Sequence, residues 1–402
     1  MLRTSPAEAG HYVRLRRSTN GIIISHVGTL PRPAELDAIC NRYELPGDEQ
    51  AFTTLVPRIV ADIVRRQVDL GIAIVNDGEF GKRGGFSYYA QTRLSGIEGR
   101  DMPAPGSRNI TGRDAIDFPG YYASRPQPNA AQRADRTRPL NQPMFCTGPI
   151  KYIGHGDATF DIDNLRRATD GLDVQPFLSA VAPGTIEHWL WNEHYKTDEE
   201  LLFAVADAMR EEYKLITDAG ILLQIDDPDL PDGWQMFPQM NVGEYRRYAA
   251  MRVEALNHAL AGVPSEMVRL HVCWGSGHGP HKNDIPLGDI VDLVLAVNAG
   301  CYSLEAANPR HEHEWEVWRS VRWPDGKTLM PGVVGHASDV VEHPAVVAHR
   351  LIRFAALIGR ENVIAGTDCG LGSRVSHPEI AWAKLQALVE GAAVASRSLW
   401  SG

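Results

Sequence analysis

In the run RLHVCWG, His271 and Cys273 stand two residues apart, so an extended chain carries both on one face. Glu305 closes the apolar stretch of SLEAANPR, and Cys369 sits in AGTDCGLG. One imidazole, two thiols and one carboxylate make a four-donor set for Zn2+, nitrogen and sulfur with a displaceable oxygen. Two thiolates and a carboxylate leave such a site with net negative charge, which makes it a poor Lewis acid for hydrolysis. It would instead keep a substrate thiolate electron-rich and nucleophilic near neutral pH, the chemistry of making or breaking a C–S bond. Taken singly, each residue has a blander reading, the cysteines as small buried hydrophobes and the histidine as a hydrogen-bonded core residue. Four suitable donors at the strand ends of one rim argue against coincidence.

Other polar residues are candidates for holding a substrate. Lys82 and Arg83 follow one apolar run and Arg32 another, and each could bind an anionic group, although solvated surface cations are an equal reading. Asp226, Asp227 and Asp229 form a carboxylate cluster. Its origin in a single strand and the Pro228 turn favour substrate binding or plain solvation at the rim over a Mg2+ site. His278, His281, His311 and His313 could each act as an acid, but loop packing or support of the zinc ligands is the expected role. Trp274 and Trp315 read as packing residues.

These residues need a scaffold that gathers strand ends. Phe52, Leu55, Val56, Ile59, Val60, Ile63 and Val64 recur at helical spacing up to Gly71, and the apolar run IAIVND follows. The unit repeats. Thr197 and Glu200 open a helix that closes at Asp218, Ala219 and Gly220, before ILLQID, and another helix closes at Asn298, Ala299 and Gly300, before CYSLEA. Candidate strands fall at 22–26, 73–77, 174–182, 222–226, 268–272, 301–305, 330–334 and 362–367. That number predicts a (β/α)8 TIM barrel, whose C-terminal strand ends face a common mouth. No G-x-G-x-x-G follows any strand, so a dinucleotide-binding open sheet has no support. The stretch 81–172 between strands two and three is far longer than a normal βα loop and reads as a lid or inserted hairpin. QPMFCTGPIKYIG within it has strand character. The expected organisation is one zinc-dependent barrel over 1–402 with this insertion.

With 402 residues, 44% hydrophobic and 22% charged, the composition is that of a globular protein. A net charge of −10 advertises no surface for nucleic acid or anionic membrane, which leaves small molecules as the expected partners and homo-oligomerisation open. Five scattered cysteines do not read as a disulfide framework, and no apolar run reaches membrane-span length, so a cytoplasmic location is expected.

HVGTLPRP, QIDDPDL, HVCWGSGHGPHKNDIPL, YSLEAANPRHEHEW, GVVGHASDVVEHP and ENVIAGTDCG together resemble the catalytic barrel of the cobalamin-independent methionine synthase superfamily. The resemblance runs from residue 26 to the end of the chain, without the additional N-terminal barrel of the full synthase. It implies zinc held by His271, Cys273, Glu305 and Cys369, a thiol amino acid bound by Asp226, and a further binding carboxylate at Glu79. The general-acid histidine of the methionine synthases aligns with Ala337, one residue after His336, which makes His336 the first candidate for the proton donor. HVCWGS and GPHKNDIPL are more similar to the epoxyalkane:coenzyme M transferase branch. The expected activity is a zinc-dependent thiol alkyl or methyl transfer, or its C–S lyase reverse, from a methyl or alkyl donor or an epoxide. Folate-dependent homocysteine methylation is the alternative enzyme, and a non-catalytic zinc and thiol-binding protein the alternative of another class.

Overall fold

The computed structural model describes residues 14–40, 48–82, 88–100, 112–124, 143–275, 277–372 and 374–401. Eight parallel strands form one sheet: β1 (Ile23–Ile24), β2 (Ile74–Val75), β3 (Gln175–Val181), β4 (Leu222–Asp226), β5 (Val268–Val272), β6 (Cys301–Glu305), β7 (Thr328–Val334) and β8 (Ile364–Thr367). Each pairs with its neighbour in chain order from β2 through to β8, and β8 pairs back on β1. Ala73 N donates to Ile24 O at 3.1 Å and closes the ring between β1 and β2. Every strand falls on an expected apolar run, and the fold is a TIM barrel.

The helices packed outside follow from their sequences. The helix Asp48–Leu70 buries Phe52, Val56, Ile59, Val60, Ile63 and Val64 and ends at Gly71, whose φ of 99° lies in the left-handed region that glycine enters without steric cost. The helix Asp198–Asp218 is capped by Thr197, whose hydroxyl accepts from Glu200 N. Glu200 turns its carboxylate to Lys196 N. The Asn298-Ala299-Gly300 stop differs from the expectation. The helix Val291–Ala296 ends two residues before Asn298, and Gly300 is required by packing, since a Cβ there would lie 2.7 Å from Ser265 O.

Polarity inside the barrel changes along its axis. At the N-terminal end Ile74, Phe177, Leu222, Met267, Cys301, Met330 and Ile364 pack into an apolar floor. Two residues further along, Ser25, Ser179, Gln224, Arg269 and Ser303 form a buried polar layer. Beyond it the strand ends carry the candidate site.

The insertion contributes a strand, Met144–Cys146, that pairs antiparallel with Ile97–Gly99 and parallel with Leu190–Asn192, which follows β3. Its helix Gly112–Asp117 reaches the loops after β4 and β5. There Arg113 Nε donates to Trp234 O at 2.6 Å, and Asp114 Oδ1 accepts from Asn283 N at 2.9 Å. Among the described residues no helix is long and apolar enough to cross a membrane.

Candidate functional site

His271, the last residue but one of β5, stands beside Asp226 of β4 and Ser303 of β6, its partners in register. Its Nδ1 meets Ser303 Oγ at 3.1 Å, which leaves Nε2, buried and without a hydrogen-bond partner, for the mouth. One imidazole nitrogen of His271 and the sulfurs of Cys273 and Cys369 lie within 4.8 Å of one another. The two sulfurs are 4.0 Å apart. The neighbouring Cys273 thiol and His271 imidazole hold the Cys369 thiol well below its usual range, while Cys273 is pushed up by its link to Cys369. Burial lowers the His271 imidazole, but Cys369, Asp226 and Glu305 outweigh it and raise the value.

Glu305 lies beside this trio. Its Oε1 accepts from Trp274 N and its Oε2 from Asn308 Nδ2, both at 2.9 Å. It belongs to an adjoining buried group with His336 and Asp368, whose ligand atoms are within 4.8 Å of one another. His336 Nδ1 and Asp368 Oδ2 have no hydrogen-bond partner, and Asp368 Oδ1 accepts from Ala306 N and Ala307 N at 2.8 and 2.9 Å. Burial and the nearby Glu305 push the Asp368 carboxyl well up. Asp368 was absent from the sequence expectation; its only signal is adjacency to Cys369.

A second set of carboxylates surrounds Lys82. Asp226 accepts from Gln224 Nε2 at 2.7 Å, and its carboxyl is pushed up to about 7 by burial and by Glu79, against the pull of His271 and Lys82. Glu79 has a φ of 63° and accepts from Thr29 Oγ1 at 2.7 Å and from Ser179 Oγ at 3.0 Å. Asp77, which sequence reasoning missed, is also pushed up to about 7 by burial and Asp161. Lys82 is 3% exposed, donates to Ser179 O and lies 4.7 Å from the centre of the Tyr89 ring, so the solvated-cation reading fails for it. Arg32 is half-buried and donates to Lys82 O at 3.0 Å. Arg83 lies outside the described residues.

Solvation at the rim is also overturned for the acidic cluster, since Asp226, Asp227 and Asp229 are all buried. Asp227 accepts from Thr185 Oγ1 at 3.1 Å, and its carboxyl is pushed up to about 7 by burial and Asp229. His281 and His311 support the loop after β5, as expected: Asp284 Oδ2 meets His281 Nδ1 at 2.7 Å and His311 Nε2 at 3.1 Å. Trp274 is buried and stacks on His311 with ring centres 4.0 Å apart. Away from the mouth, a cavity of about 410 Å3 between the helices Asp48–Leu70 and His155–Thr169 shares no lining residue with the sulfur trio.

The family model for the cobalamin-independent synthase catalytic domain matches residues 155–394. Among curated proteins, a methionine synthase of Saccharolobus solfataricus is 28% identical over 234 residues, 58% of this chain and 60% of that protein. One of Thermococcus kodakarensis is 30% identical over 221 residues, 54% of this chain and 56% of that protein. The alignment thus spans about 60% of the length of the curated relatives. Among solved structures, a B12-independent methionine synthase from Shewanella sp. W3-18-1 in complex with selenomethionine superposes with a TM-score of 0.70 at 22% identity, over 95% of this chain and 100% of that one. A putative vitamin-B12 independent methionine synthase from Listeria monocytogenes gives 0.63 at 18% identity, over 94% and 98%. At these identities the superpositions establish the fold.

Proposed function

The chain belongs to the cobalamin-independent synthase catalytic-domain family, and from that premise we propose that it transfers an alkyl or methyl group to the sulfur of a thiol substrate. The observation that carries the reading is the buried, unpartnered Nε2 of His271 beside two cysteine sulfurs 4.0 Å apart at the barrel mouth. The donors suit zinc: two Zn–S bonds of about 2.3 Å at a tetrahedral angle place their sulfurs about 3.8 Å apart. His271, Cys273 and Cys369 would hold the ion, with Glu305 as the exchangeable fourth donor. When bound, zinc lowers the pKa of an incoming thiol, so that its sulfur is presented as thiolate at neutral pH.

The chain's own groups supply the rest. Ser303 Oγ holds the His271 ring at Nδ1 and so turns Nε2 toward the sulfurs. Glu305 is held by Trp274 N and Asn308, hydrogen bonds that can be exchanged when a thiol enters. Asp226, Glu79 and Asp77 are three buried carboxyl groups around Lys82, the one cation among them in the described residues, which is tied to Ser179 O, and a bound ammonium would draw the raised carboxyls into their ionised form. That balance favours a thiol carrying an ammonium group, such as homocysteine, over one carrying a sulfonate, such as coenzyme M. The thiolate sulfur attacks the electrophilic carbon and a C–S bond forms. The bond from that carbon to the carrier nitrogen or epoxide oxygen breaks, and the departing atom keeps the electron pair. His336, buried next to Glu305, would protonate that atom.

The test is Cys369→Ser and His271→Ala protein, assayed for bound zinc and for alkylation of homocysteine and of coenzyme M. Loss of both zinc and transfer is expected. Retention of both would refute the reading. A wild-type protein that alkylates coenzyme M but not homocysteine would retain the chemistry and overturn the ammonium assignment.

A further inference from the structure

The polar layer beneath the mouth contains a buried arginine with no ion-pair partner among the described residues. Arg269 is 1% exposed, and Gln224, its register partner on β4, is fully buried. Side chains alternate along a strand, so Gln224 and Asp226 share the interior face of β4, and Arg269 and His271 that of β5. The pair Gln224 and Arg269 therefore forms the layer on which Asp226 and His271 stand.

The hydrogen bonds in this layer run one way. Arg269 Nε donates to Gln224 Oε1 at 2.7 Å, and because a guanidinium has no acceptor, that amide oxygen must face it. The amide nitrogen must then face the other way, where it donates to Asp226 Oδ1 at 2.7 Å and to Val27 O. The guanidinium is itself fixed. Nη1 donates to Ser25 Oγ at 2.9 Å, Nη2 donates to His26 O at 3.1 Å, and the carbon lies 4.1 Å from the centre of the Phe177 ring. A cation buried without a carboxylate costs more than an apolar side chain of similar size would, so its retention calls for a task. The geometry assigns one: we propose that Gln224, oriented by Arg269, is the positioning residue that fixes the Asp226 carboxylate toward the ligand in the mouth.

This inference rests on the reading of Asp226 as a substrate-binding group, so its test has one arm that needs no substrate. Gln224→Leu removes both the amide donor and the acceptor for Arg269. Gln224→Glu keeps an acceptor for Arg269, loses the donor to Asp226 and Val27 O, and sets a second carboxyl beside Asp226. Crystal structures of the zinc-loaded variants should show the Asp226 carboxylate rotated from its wild-type position in both. An unmoved carboxylate in Gln224→Glu would overturn the proposal whatever the substrate proves to be.

The second arm is calorimetric binding of homocysteine and of 4-mercaptobutanoate, which has the thiol and carboxylate but no amino group. Homocysteine affinity of Gln224→Glu should fall by about 10- to 100-fold, by analogy with the loss when a partner that orients a metal ligand is removed. The affinity for 4-mercaptobutanoate should change less than about 3-fold. Equal losses for the two thiols would mean a general structural role and would overturn the proposal. Wild-type protein that binds neither thiol would overturn the substrate reading alone, because the crystallographic arm still decides the positioning role. Arg269→Lys keeps the charge but not the fixed fork, and should behave like Gln224→Glu.

Discussion

Asp284→Asn should destabilise the protein in a pH-dependent way that isolates the loop over the site. Asp284 is 2% exposed in its side chain and sits between His281 at 16% and His311 at 2%. Burial lowers both imidazoles, but their hydrogen bonds to Asp284, those of His311 to Glu314 and of His281 to Gly277 O, and the negative charge around them more than reverse this, so each is raised from 6.5 to about 9. A rise of that size corresponds to about 3 kcal/mol for one histidine. Two histidines sharing one carboxylate do not add, so about 3 kcal/mol is expected for the set. Because the folded values are raised, the stabilisation is fully present below pH 6.5 and is lost as pH rises through about 9. Urea denaturation of zinc-loaded wild type and Asp284→Asn should therefore differ by up to about 3 kcal/mol at pH 6, Glu314 and Gly277 O remaining with His311 and His281, and converge above about pH 10. His311 stacks on Trp274, whose backbone holds Glu305, so the variant should also bind zinc more weakly at pH 6. A stability difference that does not change between pH 6 and pH 10 would refute the reasoning.

Arg93→Met should cost about 3–5 kcal/mol in urea denaturation, because Arg93 is 2.5 Å from Asp161 and 3.3 Å from Glu212 in a buried network and both acids would lose their counter-ion. Asp227→Asn probes the opposite sign. The folded carboxyl sits at about 7, above its unfolded value, so its ionisation costs stability. That cost is absent below about pH 4 and complete above about pH 7, so the stability of Asp227→Asn relative to wild type should rise across that window and level off. Gly28→Ala should weaken thiol binding as well as stability, since its φ of 148° and the collision of a Cβ with Glu79 Oε1 would displace that carboxylate. Isothermal calorimetry with homocysteine checks the first effect and thermal unfolding the second.

The barrel was legible because each of its strands is a short apolar run between turn signals, and the strand ends then placed His271, Cys273 and Cys369 on one rim. The interior polar layer was not. Gln224 and Arg269 sit within runs that read as apolar strands, and only the closed ring shows that they face each other. For Lys82 the sequence left anion binding and a solvated surface cation as equal readings, because NDGEFGKRGG looks like an exposed turn. The left-handed Gly78 and Glu79, with φ of 71° and 63°, fold it back into the mouth, where Asp77 joins it. The solvation reading of the acidic cluster fails for a similar reason: the turn at Pro228 leads into the buried helix Asp229–Met236 rather than into solvent. Asp368 bears on the site through backbone amides of β6's following loop, a contact between strands β6 and β8 that no local pattern encodes.

The central claim is a zinc ion on these cysteines that accepts a substrate thiol, and zinc-edge X-ray absorption of metal-replete, reduced protein with and without homocysteine tests it most directly. The account predicts about one zinc per chain with two sulfur neighbours, and a third sulfur replacing an oxygen neighbour when the thiol is added. Protein that binds no zinc under these conditions, or whose sulfur count is unchanged by every thiol tried, would contradict it.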